Sequence, residues 1–126
     1  MPHKDGSAYY PVVCTVSLGG GLCLDIHEAK KDGSTEAKPR WRILQEPRSL
    51  LITTGNAYSD YLHGIAETTK DTDLGPDTIA NWSLLRSPEH FMNGINERQT
   101  RTSLTYRDVL KVSKLGNKLG LMGRNT

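Results

Sequence analysis

The sequence predicts an all-β, mainly antiparallel fold of the sandwich or barrel kind, and three observations carry that expectation. Short segments rich in β-branched and aromatic residues recur along the chain. Clusters of Gly, Pro and Asn separate them. The stretches between are too short or too irregular to sustain a helical apolar period.

Taken in order, Tyr10 to Leu18 reads as a first strand, ends at Gly19-Gly20-Gly21 and is followed by Leu22 to His27 with apolar residues at alternate positions. That pattern predicts a β-hairpin. Residues 28–40 are charged, carry Gly33 and Pro39, and read as a loop. Trp41 to Glu46 and Ser49 to Thr54 are two further strands broken by Pro47, and Gly55-Asn56 marks a turn. Tyr58, Tyr61 and Leu62 predict one apolar turn ahead of His63. Residues 67–99 hold six acids against three bases, include Gly75-Pro76 and Ser87-Pro88, and read as a long loop insertion. Thr100 to Arg107 returns to strand composition. The expected organisation is one domain over 1–114, with variable loops at 28–40 and 67–99, and a basic C-terminal tail over 115–126.

Composition narrows the class. A chain of 126 residues with 36% hydrophobic and 24% charged residues supports one domain with a modest core and is not that of a disordered protein. No apolar run is long enough to cross a bilayer and the opening residues hold no hydrophobic segment, so the expectation is an intracellular protein of cytoplasm and nucleus with no membrane partner. Cys14 and Cys23 are too few for a disulfide framework and read as small core residues. A net charge of +2 says little about polyanions, but Lys111, Lys114, Lys118 and Arg124 fall in a stretch without acids. That stretch either touches phosphates or is a solubilising terminus.

Two constellations carry chemistry. His3 and Asp5 stand two apart, and on an extended segment such side chains share one face, so an imidazole and a carboxylate can meet one metal ion. Taken alone the pair is also what a solvated surface produces by chance. His63, after a hydrophobic strand and before Gly64, is where a closed sandwich brings a third donor back. Two His and one carboxylate leave open coordination positions and favour non-haem Fe(II) over structural zinc. Arg101 and Arg107 are six apart on a predicted strand, on the same side as Ser103 and Thr105. If that side is buried, the two guanidiniums require an anion, and a small dicarboxylate answers both; on spacing alone, an exposed edge strand with solvated arginines stands equally.

The order His3-x-Asp5, His63-Gly64-Ile65 and Arg101 to Arg107 with Ser103-Leu104-Thr105 between them resembles the AlkB family of Fe(II)/2-oxoglutarate dioxygenases. Tyr10-Pro11, Val16-Ser17-Leu18-Gly19, Pro47 to Leu51 and Ala57-Tyr58 are similar to its homologue-six subgroup. The resemblance implies a double-stranded β-helix of jelly-roll type, with iron on His3, Asp5 and His63. It also implies the distal carboxylate of 2-oxoglutarate on Arg101, with Ser103 and Arg107 near the chelating end. The implied reaction consumes molecular oxygen and 2-oxoglutarate, releases succinate and carbon dioxide, and hydroxylates or demethylates a methylated nucleic acid or protein. Tyr9 and Tyr10, just after the metal motif, are candidate substrate contacts, although aromatic residues at the start of a strand are more often core.

Family members carry a long segment before the first ligand, so the expectation is an N-terminally truncated form with long loop insertions. Pro2 excludes chelation of copper or nickel by the terminus, which needs a backbone N–H there. The competing readings are a catalytically impaired fragment acting as a β-rich interaction module and a nucleic-acid-binding module that relies on the basic tail. His27 and His90 read as surface histidines, Trp41 as core and Trp82 as a loop anchor. Oligomeric state is open.

Overall fold

A computed structural model describes residues 1–111 of the chain. The basic tail expected over 115–126 lies outside the described residues. The elements are β1 (Tyr9–Gly19), β2 (Leu22–Glu28), β3 (Trp41–Gln45), β4 (Ser49–Thr54), a short helix α1 (Gly55–Ser59), β5 (Tyr61–Gly64), β6 (Lys70–Asp71), two 3-10 turns (Trp82–Leu84 and Pro88–Phe91), β7 (Asn96–Glu97) and β8 (Arg101–Val109). They form two three-stranded antiparallel sheets, ordered β4-β1-β8 and β3-β2-β5, and a small β6-β7 pair. The all-β, jelly-roll type of architecture read from the sequence is present.

The hairpin expected from residues 10–27 is not formed. β1 pairs with β4 and β8 while β2 pairs with β3 and β5, so the triple glycine is a corner between sheets. Gly19 takes a φ of +82°, and a side chain there would lie 2.5 Å from the carbonyl oxygen of Thr100. Only glycine lets the chain turn that tightly against its neighbour. The break at Pro47 works the same way, passing the chain from β3 to β4 in the opposite sheet, with Arg48 at a positive φ donating its N–H to the carbonyl of Ser17. Short apolar runs separated by turn residues look alike whether the turn closes a hairpin or crosses to another sheet.

Strand alternation gives each sheet an inner and an outer face. The best buried apolar cluster, Cys23, Leu44, Leu74, Ile79 and Phe91, lies on the outer face of β3-β2-β5, under the segment that follows β5. Residues 67–99 are therefore packed: Trp82 and Leu85 close over the cluster, and Arg98 makes an ion pair with buried Asp71 at 2.6 Å. Asn96 donates to the same carboxylate and to the carbonyl of Gly21. Asn81 exchanges two hydrogen bonds with the backbone of Leu44, and Ala80 N–H donates to the carbonyl of Arg42, which caps the outer edge of β3. Trp82 is the loop anchor expected of it.

Two other assignments change. Trp41, expected in the core, is 40% exposed at the start of β3, and His27, expected at the surface, is buried with Nδ1 donating to the carbonyl of Glu36. The reason is register: Trp41 lies on the inner, open side of the sandwich, whereas His27 lies on the covered outer side with Cys23.

Candidate metal and anion site

The inner faces of the two sheets enclose a partly open cavity of about 220 Å³ rather than an apolar core. Val13 and Thr15 from β1, Leu51 and Thr53 from β4, and Leu24 from β2 form its walls, and the polar groups gather at its two ends.

At one end His3, Asp5 and His63 come together, each offering a donor atom within 4.8 Å of the others. The N-terminal segment reaches this position as an added strand pair: His3 and His63 exchange backbone hydrogen bonds of 3.0 Å in each direction. Gly64 permits that approach, because a Cβ there would sit 3.1 Å from the Cα of Pro2. Buried Tyr58 of α1 donates its hydroxyl to the carbonyl of Gly6 at 2.6 Å, anchoring the turn just past Asp5. His3 Nδ1 donates to the carbonyl of Met1, which leaves Nε2 with its lone pair. Burial holds the His63 imidazole below its ordinary value, against the opposing pull of Asp5 and with small help from His3 and Arg107. A neutral ring is the form that binds metal. Asp5 lies 3.9 Å from His63 Nε2 and accepts a 2.8 Å hydrogen bond from Arg107.

At the other end Arg101 enters from β8. Its Nη2 donates to Ser17 Oγ at 2.8 Å and to Gln45 Oε1 at 3.0 Å, and the Ser17 hydroxyl donates to that same Gln45 oxygen. Arg101 Nε is buried with no hydrogen-bond partner, and burial lowers the basicity of the guanidinium with no acid opposing it. A partly buried cation held by neutral partners and left with a buried, unused donor could cradle an anion. By strand rise the two arginines of β8 stand roughly 20 Å apart at their Cα atoms, and both side chains line the cavity.

The predicted site residues divide clearly. His3, Asp5, His63, Arg101, Ser103 and Arg107 all line the one cavity. Tyr9 and Tyr10 do not: Tyr9 lies under Arg107 at 5.4 Å from ring centroid to guanidinium carbon, and Tyr10 is 54% exposed. Reading the sequence alone missed Ser17, Gln45 and Tyr58. Gln45 had a visible signal, a polar residue two after Ile43 on the face expected to be apolar. The hydroxyl roles of Ser17 and Tyr58 depend on partners 28 and 52 residues away and left no local mark.

An antiparallel jelly-roll type of domain whose interior holds a two-His, one-carboxylate cluster at one end and an arginine with an unused donor at the other defines a class: β-sandwich proteins whose donor sets could hold a metal and a small anion together. No family model matches the chain. It is 32% identical to the zebrafish (Danio rerio) protein named "Probable RNA/DNA demethylase ALKBH6" over 126 aligned residues, which cover 95% of the chain and 52% of that protein. The chain is thus similar over nearly its whole length to an AlkB homologue, and it spans about half the length of that curated relative.

Proposed function

We propose that this chain forms the iron- and 2-oxoglutarate-binding part of an AlkB-type dioxygenase acting on methylated nucleic acid. The observation that carries the reading is the pairing within one cavity of the His3, Asp5 and His63 cluster with Arg101 and its unused Nε. The name of the zebrafish relative supports the substrate class and the demethylase reaction. Bound iron and 2-oxoglutarate would supply the oxidation of a methyl C–H by molecular oxygen, with succinate and carbon dioxide as co-products.

The chain's own residues do the rest. His3, Asp5 and His63 would hold the metal. Arg101 would bind the distal carboxylate, while Ser17 and Gln45 keep its side chain in place. Ser103 and Arg107 serve the end of the co-substrate near the metal, and Arg107 also orients Asp5. The walls of Val13, Leu24 and Leu51 exclude water from the floor. Tyr9 beside Arg107 and exposed Tyr10 are the proposed substrate contacts. The unpaired thiols of Cys14 and Cys23 favour a reducing compartment, the cytoplasm or nucleus.

A second reading, an interaction module without catalysis, is favoured by one observation. The outer face of β4-β1-β8 presents Leu50, Ile52 and Tyr106 at 54–60% exposure. Anaerobic titration with Fe(II) and 2-oxoglutarate decides between them. A saturable visible charge-transfer band, lost in His63→Ala, is the expected result; a folded chain with no band overturns the catalytic reading.

A further inference from the structure

A second concavity opens on the flank of the sandwich between β3 and β4. Ile26, Ile43, Leu51 and Thr53 line it, and Trp41 and Tyr61 form one end, their rings 5.1 Å apart and tilted by 59°. Its volume is about 440 Å³, twice that of the metal and anion cavity, and its surface is almost wholly apolar. Trp41 adds little to the core at 40% exposure, yet it stands on the inner face of the sheet, with Tyr61 beside its ring and the Arg40 guanidinium over it.

Its position is tied to the metal cluster. Ile26 pairs with Trp41 on one side and with His63 on the other, and His63 pairs in turn with His3, so the four lie in one row across the sheet. Trp41 is two strand spacings from His63, about 10 Å, and Leu51 and Thr53 are walls of both concavities. At the rim the Arg40 guanidinium lies 5.2 Å from the centre of the Trp41 ring and holds Glu28 at 3.0 Å.

We infer that the Trp41 and Tyr61 groove is a stacking subsite for a base of single-stranded nucleic acid, the one flanking the base presented to the metal cluster. This rests on the proposed function above for the choice of nucleic acid. An exposed indole flanked by a phenol and backed by a guanidinium is the combination that takes an unpaired base on its face while a cation meets the backbone phosphate. A duplex keeps its bases stacked on one another and offers no free face for the indole. On the β3 side an extended peptide has no free edge to pair with, because Ala80 and Asn81 already occupy it.

The test uses the metal-free 126-residue chain and a fluorescein-labelled run of eight thymidine nucleotides, read by anisotropy and, with unlabelled oligonucleotide, by intrinsic tryptophan fluorescence. The chain has two tryptophans, so Trp82→Phe reports on Trp41 alone and Trp41→Phe on Trp82 alone. Quenching is expected in Trp82→Phe and absent in Trp41→Phe. Trp41→Ala weakens binding at least tenfold, within the range for losing one stacked base. No iron is present in this assay, so loss of the iron chemistry would leave this result standing. Equal affinity in Trp41→Ala, quenching confined to Trp82, or equally tight binding of a duplex would each overturn the subsite. Trp41→Phe, which keeps an aromatic ring, guards against an alanine variant that misfolds: it must bind more tightly than Trp41→Ala.

Discussion

Arg101→Met removes a partly buried cation that has no acid beside it among the described residues. The structure sets the size of the effect. Arg101 Nη2 is spent on Ser17 and Gln45, so Nε and the remaining guanidinium N–H groups are what a carboxylate would meet. Hydrogen bonds to a charged group contribute about 1.5–3 kcal/mol each. Losing one to two of them should raise the dissociation constant of 2-oxoglutarate by roughly 100-fold, equivalent to about 3 kcal/mol. Arg101→Lys restores a point charge but not the fork, and an intermediate loss of about tenfold is expected. The assay is calorimetric titration of the Fe(II)-loaded chain with 2-oxoglutarate under anaerobic conditions, with thermal melts of the ligand-free variants alongside. Ligand-free Arg101→Met should melt no lower than the parent, because the orphaned donor goes with the charge while Ser17 still satisfies Gln45. Affinity within threefold of the parent would refute the anion cradle. So would a large fall in ligand-free stability, which would make Arg101 a structural residue.

Four further outcomes follow from the same geometry. Arg98→Ala strands the buried Asp71 carboxylate, and breaking such a pair costs about 3–5 kcal/mol, so the midpoint of thermal unfolding should fall by roughly 10–15 °C. Tyr58→Phe removes the 2.6 Å bond to Gly6 and should weaken Co(II) binding several-fold in an absorption titration while costing only about 1 kcal/mol of stability. Burial lowers the His63 pKa below its ordinary 6.5, so the unfolded chain binds the extra proton first. Stability of the metal-free chain therefore falls as pH drops from 6.5 through the lowered value, and His63→Asn should flatten that slope in pH-dependent denaturant melts. The Cys23 thiol, pushed up to about 12 by burial and by Asp71, should resist iodoacetamide at pH 8 until the chain unfolds, while half-buried Cys14 is modified first.

The strands were legible in the sequence because composition and alternation are local. The segment from Thr100 to Arg107 reads as a strand on its Thr, Tyr and Leu, and β8 forms there. Sheet membership was not legible, since the triple glycine after β1 is equally good chemistry for a hairpin and for a corner. Residues 67–99 carry no period, yet Leu74, Ile79 and Phe91 supply three of the five buried members of the core cluster. Irregular backbone hides its apolar anchors from any search for periodicity. Within the site, His3, Asp5 and the two arginines were readable because period-two spacing on a strand fixes a common face. The partners of Arg101 were not, because Ser17 and Gln45 arrive from two other strands in two different sheets.

That distribution has a consequence for how the molecule divides its work. A sandwich normally takes its stability from the space between its sheets, but here that space holds His3, Asp5, His63, Arg101 and Arg107. Ion desolvation makes such an interior costly, so the apolar packing has moved outward, to the far face of β3-β2-β5 beneath residues 67–99. The segment that looks like an insertion is then what lets the interior be polar, by covering the outer face of the sheet and capping the edge of β3. Leu44, 1% exposed at the centre of that outer cluster, points away from the site. Leu44→Ala should cost about 2–5 kcal/mol yet leave the affinity of the folded chain for Co(II) unchanged. If metal affinity fell together with stability, the outer core and the inner site would be one cooperative unit and the division of labour would be wrong.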